Sequence, residues 1–167
     1  MKKIGVFYGS TSGKTLGIVD EIEFYLRGTE YEIIDVANGI SNMNSFENLI
    51  LVSPTYGVGE LQQDWENVIT DMKNIDFTNK IVAIVGLGNQ YAFGESFVGA
   101  MKVLYDIVSE RGAKVIGFTP DEGYHYEETE AVIDGKFVGL ALDEANQDDD
   151  TPDRIQAWLE EIKPLFA

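Results

Sequence analysis

The sequence predicts an α/β domain built on a doubly wound, five-stranded parallel sheet with helices on both faces. Two observations in the residues carry the doubly wound sheet. Short apolar runs alternate with stretches of helical period along the whole chain. The first, third and fourth of these runs stop at Gly9, Pro54 and Gly86, as strands that open onto loops at one edge of a sheet do. No linker or internal repeat divides the 167 residues, so residues 1–167 read as one domain.

Taken in order, Ile4-Gly5-Val6-Phe7-Tyr8 is the first strand. A helix is expected from about Lys14, with Ile18, Ile22, Tyr25 and Leu26 on one face and Arg27-Gly28 as its stop. Tyr31 to Val36 reads as the second strand, and Asn48 to Ser53 as the third, ended by Pro54. Trp65, Val68, Ile69 and Met72 fall at i, i+3, i+4 and i+7, the spacing of a packed helix face. Lys80 to Val85 is the fourth strand. The third helix carries Phe97, Met101, Leu104 and Val108 and closes at Arg111-Gly112. Lys114 to Phe118 starts the fifth strand. The last helix takes Thr151 as N-cap and Pro152 as its first helical residue, with Ile155, Trp158, Leu159 and Ile162 inward.

Composition removes several classes of chemistry. There is no cysteine, which excludes disulfides, thiolate metal sites and cysteine nucleophiles, and the lone His125 cannot build a histidine metal site. The N-terminal apolar run is too short for a signal peptide and none is long enough to span a bilayer, so a soluble cytoplasmic monomer is expected. With 29 acids against 12 bases the formal charge is −17. Such a surface repels nucleic acid and anionic membranes and steers the protein toward basic partners.

In a doubly wound sheet ligands sit beyond the carboxyl ends of the strands, which singles out the loops after strands one, three and four. The first loop, Gly9-Ser10-Thr11-Ser12-Gly13-Lys14-Thr15, puts four hydroxyls and two glycines at a helix N-terminus. Backbone N–H groups and the helix dipole favour an anion there, and a phosphate monoester suits the added hydroxyl donors. A Walker A loop needs a glycine where Tyr8 stands, and no acid follows the third strand to hold magnesium. Nor does the loop read G-x-G-x-x-G, so a mononucleotide is favoured over a dinucleotide. A receiver domain would want acids where Gly9-Ser10 and Ser53-Pro54 stand.

These residues resemble the flavodoxin family, in its long-chain form. Ser10-Thr11-Ser12-Gly13-Lys14-Thr15 is similar to the family's phosphate loop. Pro54-Thr55-Tyr56-Gly57-Val58-Gly59-Glu60-Leu61 resembles its loop after strand three, and Gly86-Leu87-Gly88-Asn89-Gln90 its loop after strand four. Gly135 to Asp143 looks like the return strand of long-chain members, and Thr119 to Lys136 fills the place of their insertion, so the resemblance implies the strand order 2-1-3-4-5 with the fifth strand split by that insertion. The resemblance implies non-covalent FMN bound by Ser10 to Thr15, by Pro54 to Gly59, and by Leu87, Gly88, Asn89, Phe93 and Ser96. It also implies a one-electron carrier, not an enzyme, that cycles mainly between semiquinone and hydroquinone. The partners implied are basic-faced redox enzymes such as a ferredoxin–NADP reductase or a pyruvate oxidoreductase. An FMN-dependent quinone or NAD(P)H oxidoreductase on the same fold is the alternative.

The residues themselves suit a flavin, whose flat ring wants aromatic walls and backbone hydrogen bonds at its polar edge. Tyr56 supplies one wall; Tyr91 and Phe93 both stand in the third loop, and family spacing points to Phe93. The resemblance gives Gly57 the role of letting the following peptide turn its carbonyl toward flavin N5, a change that glycine makes cheaply. Two positions depart from the family: Phe93 stands where tyrosine is usual, and Asn89 where aspartate is. The second removes a negative charge near the ring and should ease the low-potential step.

Overall fold

A computed structural model describes all 167 residues. Its first half runs β1 (Ile4–Tyr8), α1 (Lys14–Tyr25), β2 (Tyr31–Asp35), β3 (Asn48–Tyr56), β4 (Glu60–Leu61) and α2 (Gln63–Met72). The second half runs β5 (Ile81–Leu87), α3 (Ala100–Glu110), β6 (Lys114–Ile116), β7 (Thr119–Pro120), β8 (Val132–Ile133), β9 (Lys136–Phe137), β10 (Leu140–Leu142) and α4 (Thr151–Ile162). The parallel sheet has the order β2-β1-β3-β5-β10, as expected.

Period-two alternation sorts the strand side chains onto two cores. Phe7, Leu49, Leu51, Val82 and Ile84 face one side, where α2 and α3 bring Trp65, Met72, Met101 and Leu104. Ile4, Val6, Ile50, Val52, Ala83 and Val85 face the other, covered by Ile18 and Ile22 of α1 and by Ile155, Trp158 and Leu159 of α4. Both tryptophans are buried, as are all methionines except Met1.

The outer edge of β5 is shared. β6 pairs with Ile81–Ala83 and β10 with Val85–Leu87, so one strand position is filled by two segments. Between them the chain leaves the sheet and forms a small antiparallel sheet of order β7-β9-β8. The return at Gly139 passes so close to β5 that a Cβ would lie 2.0 Å from the Ile84 carbonyl oxygen.

β2 ends at Asp35, β5 runs from Ile81 on through Gly86 to Leu87, and β6 ends at Ile116, each shifted from the expected limits. Three further limits differ for identifiable reasons. β3 continues through Pro54 to Tyr56, because its pairing with β1 ends at Val52 and beyond that no neighbour on that side needs the missing N–H. Phe97 lies before α3 rather than on it, since Val98 has a φ of 48° and breaks the helix there. Thr151 is the first residue of α4, not its N-cap; its hydroxyl donates instead to the Glu144 carboxylate.

Candidate functional site

The loop between β1 and α1 is fixed from behind. Gly9 abuts α2 so closely that a Cβ would fall 2.2 Å from Gln62 Oε1 and 2.7 Å from the Trp65 ring. Ser10 Oγ accepts from the Gly13 N–H at 3.1 Å. Gly13, with φ 85°, leads into α1 with no side-chain cap, and the first turn of the helix holds no acid. α2 is the contrast: Gln62 caps it, and Asp64 and Glu66 sit in its first turn. The first N–H groups of α1 therefore keep their partial positive charge uncompensated, an arrangement that favours an anion, with Ser12 and Lys14 exposed and Thr15 buried beside them.

The second loop is a hairpin tip. Thr55 and Tyr56 pair antiparallel with Leu61 and Glu60, and the turn uses Gly57 and Gly59 at φ 53° and 71°. Thr55 Oγ1 accepts from Ala100 N at 3.2 Å, so this hydroxyl anchors the start of α3. A Cβ on Gly99 would lie 2.8 Å from Gly59 Cα, so the two backbones touch. Pinned at both points, the hairpin presents Tyr56 and Val58 outward.

The third loop is tied to two distant segments. Asn89 Oδ1 accepts from Tyr91 N at 3.1 Å, from Ala92 N at 2.9 Å and from Asn146 Nδ2 at 2.9 Å. Buried Gln90 donates through N and Nε2 to Asp143 Oδ2, both at 2.9 Å, and accepts from the His125 N–H. The Gly94 carbonyl accepts from Glu127 N and Glu128 N at 2.8 and 2.9 Å. Thr129 donates to the Phe97 carbonyl. The insertion is thus a brace behind the loop that carries Phe93. Within it, burial and a hydrogen bond to Asp121 push the Tyr126 phenol up to about 12. Burial likewise raises Tyr124, which donates to the Ala141 carbonyl at 2.6 Å.

The three loops meet at one cleft of about 310 Å³. Ser12, Lys14 and Thr15 line it from the first loop, Pro54, Thr55 and Tyr56 from the second, and Leu87, Gly88, Asn89 and Phe93 from the third. Glu144 and Ala145, from the segment after β10, complete it. The other expected residues lie around it. Ser10, Thr11 and Gly13 belong to the first loop without lining the cleft, and Gly57, Val58 and Ser96 line a neighbouring depression with Tyr91 and Glu127. Gly59 lines a second depression with Glu95, Glu128 and Glu130. Phe93 borders both the cleft and the first depression, whereas Tyr91 reaches only the depression. The sequence reading missed Glu144 and Ala145, and it missed two supports, Gln62 and Asp143. The one signal for Asp143 was a charged residue ending an apolar run at the ligand-bearing edge of the sheet.

Charge over the whole chain is lopsided. Only four ion pairs form, all on exposed acids, so 25 of the 29 acids lie outside any ion pair. On the cleft wall itself Lys14 is the single base and Glu144 the single acid.

Fold and cleft together define a doubly wound α/β protein with a ligand-sized crevice at the switch point of its sheet, walled by an open helix N-terminus and two aromatic rings. The flavodoxin family model matches residues 6–158. Flavodoxins of Helicobacter pylori and of a Picosynechococcus species are each 42% identical to the chain, covering 100% of it and 100% and 99% of their own lengths. The crystal structure of Fusobacterium nucleatum flavodoxin bound to flavin mononucleotide matches with a TM-score of 0.98 at 54% identity, over 100% of both chains. The chain belongs to the flavodoxin family.

Proposed function

We propose that this chain holds FMN non-covalently in the three-loop cleft and carries single electrons between larger redox enzymes, with no substrate turnover of its own. The observation that carries the reading is the convergence on one cleft of an uncapped helix N-terminus and two aromatic side chains, Tyr56 and Phe93. A phosphate fits the first feature and a flat ring the second. The F. nucleatum relative, 54% identical over its whole length, has flavin mononucleotide bound.

The roles of the chain's own groups follow from this placement. The first-turn N–H groups of α1, with Ser12, Thr15 and Lys14, receive the phosphate. Tyr56 and Phe93 flank the ring, and Gly57, already at positive φ, leaves the peptide that follows it free to turn toward the ring edge. Bound FMN supplies two separable one-electron steps. The uncompensated acidic charge of the chain opposes the second step, so the low-potential couple is the working one.

Partners are basic-faced redox enzymes, for example a ferredoxin–NADP reductase or a pyruvate oxidoreductase. Support comes from the depression beside Phe93, where Val58 and Tyr91 are exposed and Glu95 and Glu127 stand at the edge. Patches of this kind, apolar with an acidic margin, suit brief docking to a cationic surface. No helix is long and apolar enough to cross a membrane. The protein is read as a cytoplasmic monomer of the long-chain type, its insertion being the excursion between β6 and β10.

Titrating the flavin-free protein with FMN and with riboflavin, by quenching of flavin fluorescence, tests the reading. FMN should bind far more tightly than riboflavin. Failure to bind either flavin would remove the proposal.

A further inference from the structure

We infer that Gln62 is a positioning residue for phosphate recognition: it holds the Thr11 hydroxyl so that its proton points out of the protein as a donor. The inference rests on the reading that the Ser10–Thr15 loop receives a phosphate, and it assigns a function to a side chain that lies outside the cleft.

Gln62 is 1% exposed, and every polar atom of its amide is engaged. Oε1 accepts from the backbone N–H groups of Asp64 at 3.1 Å and Trp65 at 3.3 Å. Two backbone donors on one side leave the amide a single orientation, so Nε2 must face the other way. There it donates to Asp64 Oδ2 at 2.8 Å and to Thr11 Oγ1 at 3.1 Å. Thr11 is therefore an acceptor toward the protein. A hydroxyl has one proton, and with an N–H already aimed at its oxygen that proton turns away toward solvent, where Thr11 is exposed three residues before α1 begins.

The support is rigid. Trp65 Nε1 donates to the Val52 carbonyl at 2.9 Å, which locks the start of α2 to the sheet. Gly9 packs against the same Gln62 amide and Trp65 ring with no room for a Cβ. Sheet, α2 start, Gln62 and Thr11 thus form one connected chain of contacts ending at the loop. A role limited to capping α2 accounts for Oε1 but not for Nε2, which reaches a residue 51 positions away.

The decisive comparison is FMN against riboflavin, which differ by the phosphate. In the full-length protein, Gln62→Met should weaken FMN binding by about tenfold or more, the value of one hydrogen bond to a charged group, and leave riboflavin within about twofold. In a Thr11→Val background the same substitution should change FMN affinity by less than about twofold, because its target is gone. Equal weakening of both flavins, or an FMN loss unchanged in the Thr11→Val background, would overturn the inference and leave Gln62 a plain helix cap. Should Gln62→Met fail to fold, Gln62→Asn keeps a side-chain oxygen at the N-cap of α2 but, one methylene shorter, draws its amide nitrogen back from Thr11. The Thr11 hydroxyl then loses its inward donor, and the same cycle applies. A parent protein that does not prefer FMN to riboflavin would sink the phosphate-site reading itself. A parent that does, with a variant preferring FMN equally, would sink only the role of Gln62.

Discussion

Asp143→Asn should destabilise the protein although it removes one charge from a chain of −17. The carboxylate is fully buried and forms no ion pair; four N–H groups satisfy it instead. Oδ2 accepts from Gln90 N, Gln90 Nε2 and Asn146 Nδ2, all at 2.9 Å, and Oδ1 from Asn146 N at 3.1 Å. An asparagine keeps its oxygen where three of these donors converge and must turn its amide NH₂ against the fourth. One buried donor loses its acceptor, at a cost of about 1–3 kcal/mol, and the other three bonds lose charge assistance. Cheaper burial of a neutral group offsets part of this, leaving about 2 kcal/mol net. For a domain of this size that is a fall in melting temperature of about 4–8 °C. Urea and thermal unfolding of the flavin-free variant measure it, with exposed Asp148→Asn as the control expected to change little. A variant as stable as the parent, or more so, would refute the argument that these donors depend on a charged acceptor.

Two further perturbations probe the second loop and the insertion. Gly57→Ala places a Cβ 3.2 Å from the Glu60 carboxyl carbon, a side chain able to move aside, so the cost is mainly the positive φ, about 1 kcal/mol. The same variant should lower the maximum fraction of one-electron-reduced protein during anaerobic reduction; an unchanged fraction removes the role given to this glycine. Tyr126, with its pKa raised from 10.0 to about 12, keeps its proton in the folded state where the unfolded chain has lost it. Its contribution is complete below about pH 10 and is lost as the pH climbs through about 12. Tyr126→Phe should flatten that decline in urea-unfolding stability, and an identical pH profile in the variant would contradict it.

What the sequence discloses here is what local chemistry can disclose. The first loop is legible because anion binding needs hydroxyls, glycines and a helix start within a few consecutive residues, and Ser10 to Thr15 supplies them. The sheet is legible because strand runs such as Leu49 to Val52 and Val82 to Val85 are buried on both faces and read as unbroken apolar segments. The contributions that remain hidden are those made at long range. Glu144 and Ala145 reach the cleft only because β10 returns to the sheet beside β5. Gln62 looks like the ordinary polar start of a helix, and its second hydrogen bond, to Thr11, has no local signature. The split of the fifth strand came from family resemblance, and no residue pattern shows that the insertion braces the Phe93 loop. Thr55 was legible as a site residue but not as the group that anchors α3, because that role exists only once the hairpin has folded against Ala100.

The most direct test of the electron-carrier reading is stepwise anaerobic reduction of the FMN-loaded protein, followed by absorbance against a potential scale. Two resolved one-electron steps are expected. Between them should appear a long-wavelength band from a neutral one-electron form, and the second step should lie at distinctly lower potential. A single two-electron bleach without that band would contradict the account and favour an FMN enzyme on the same fold.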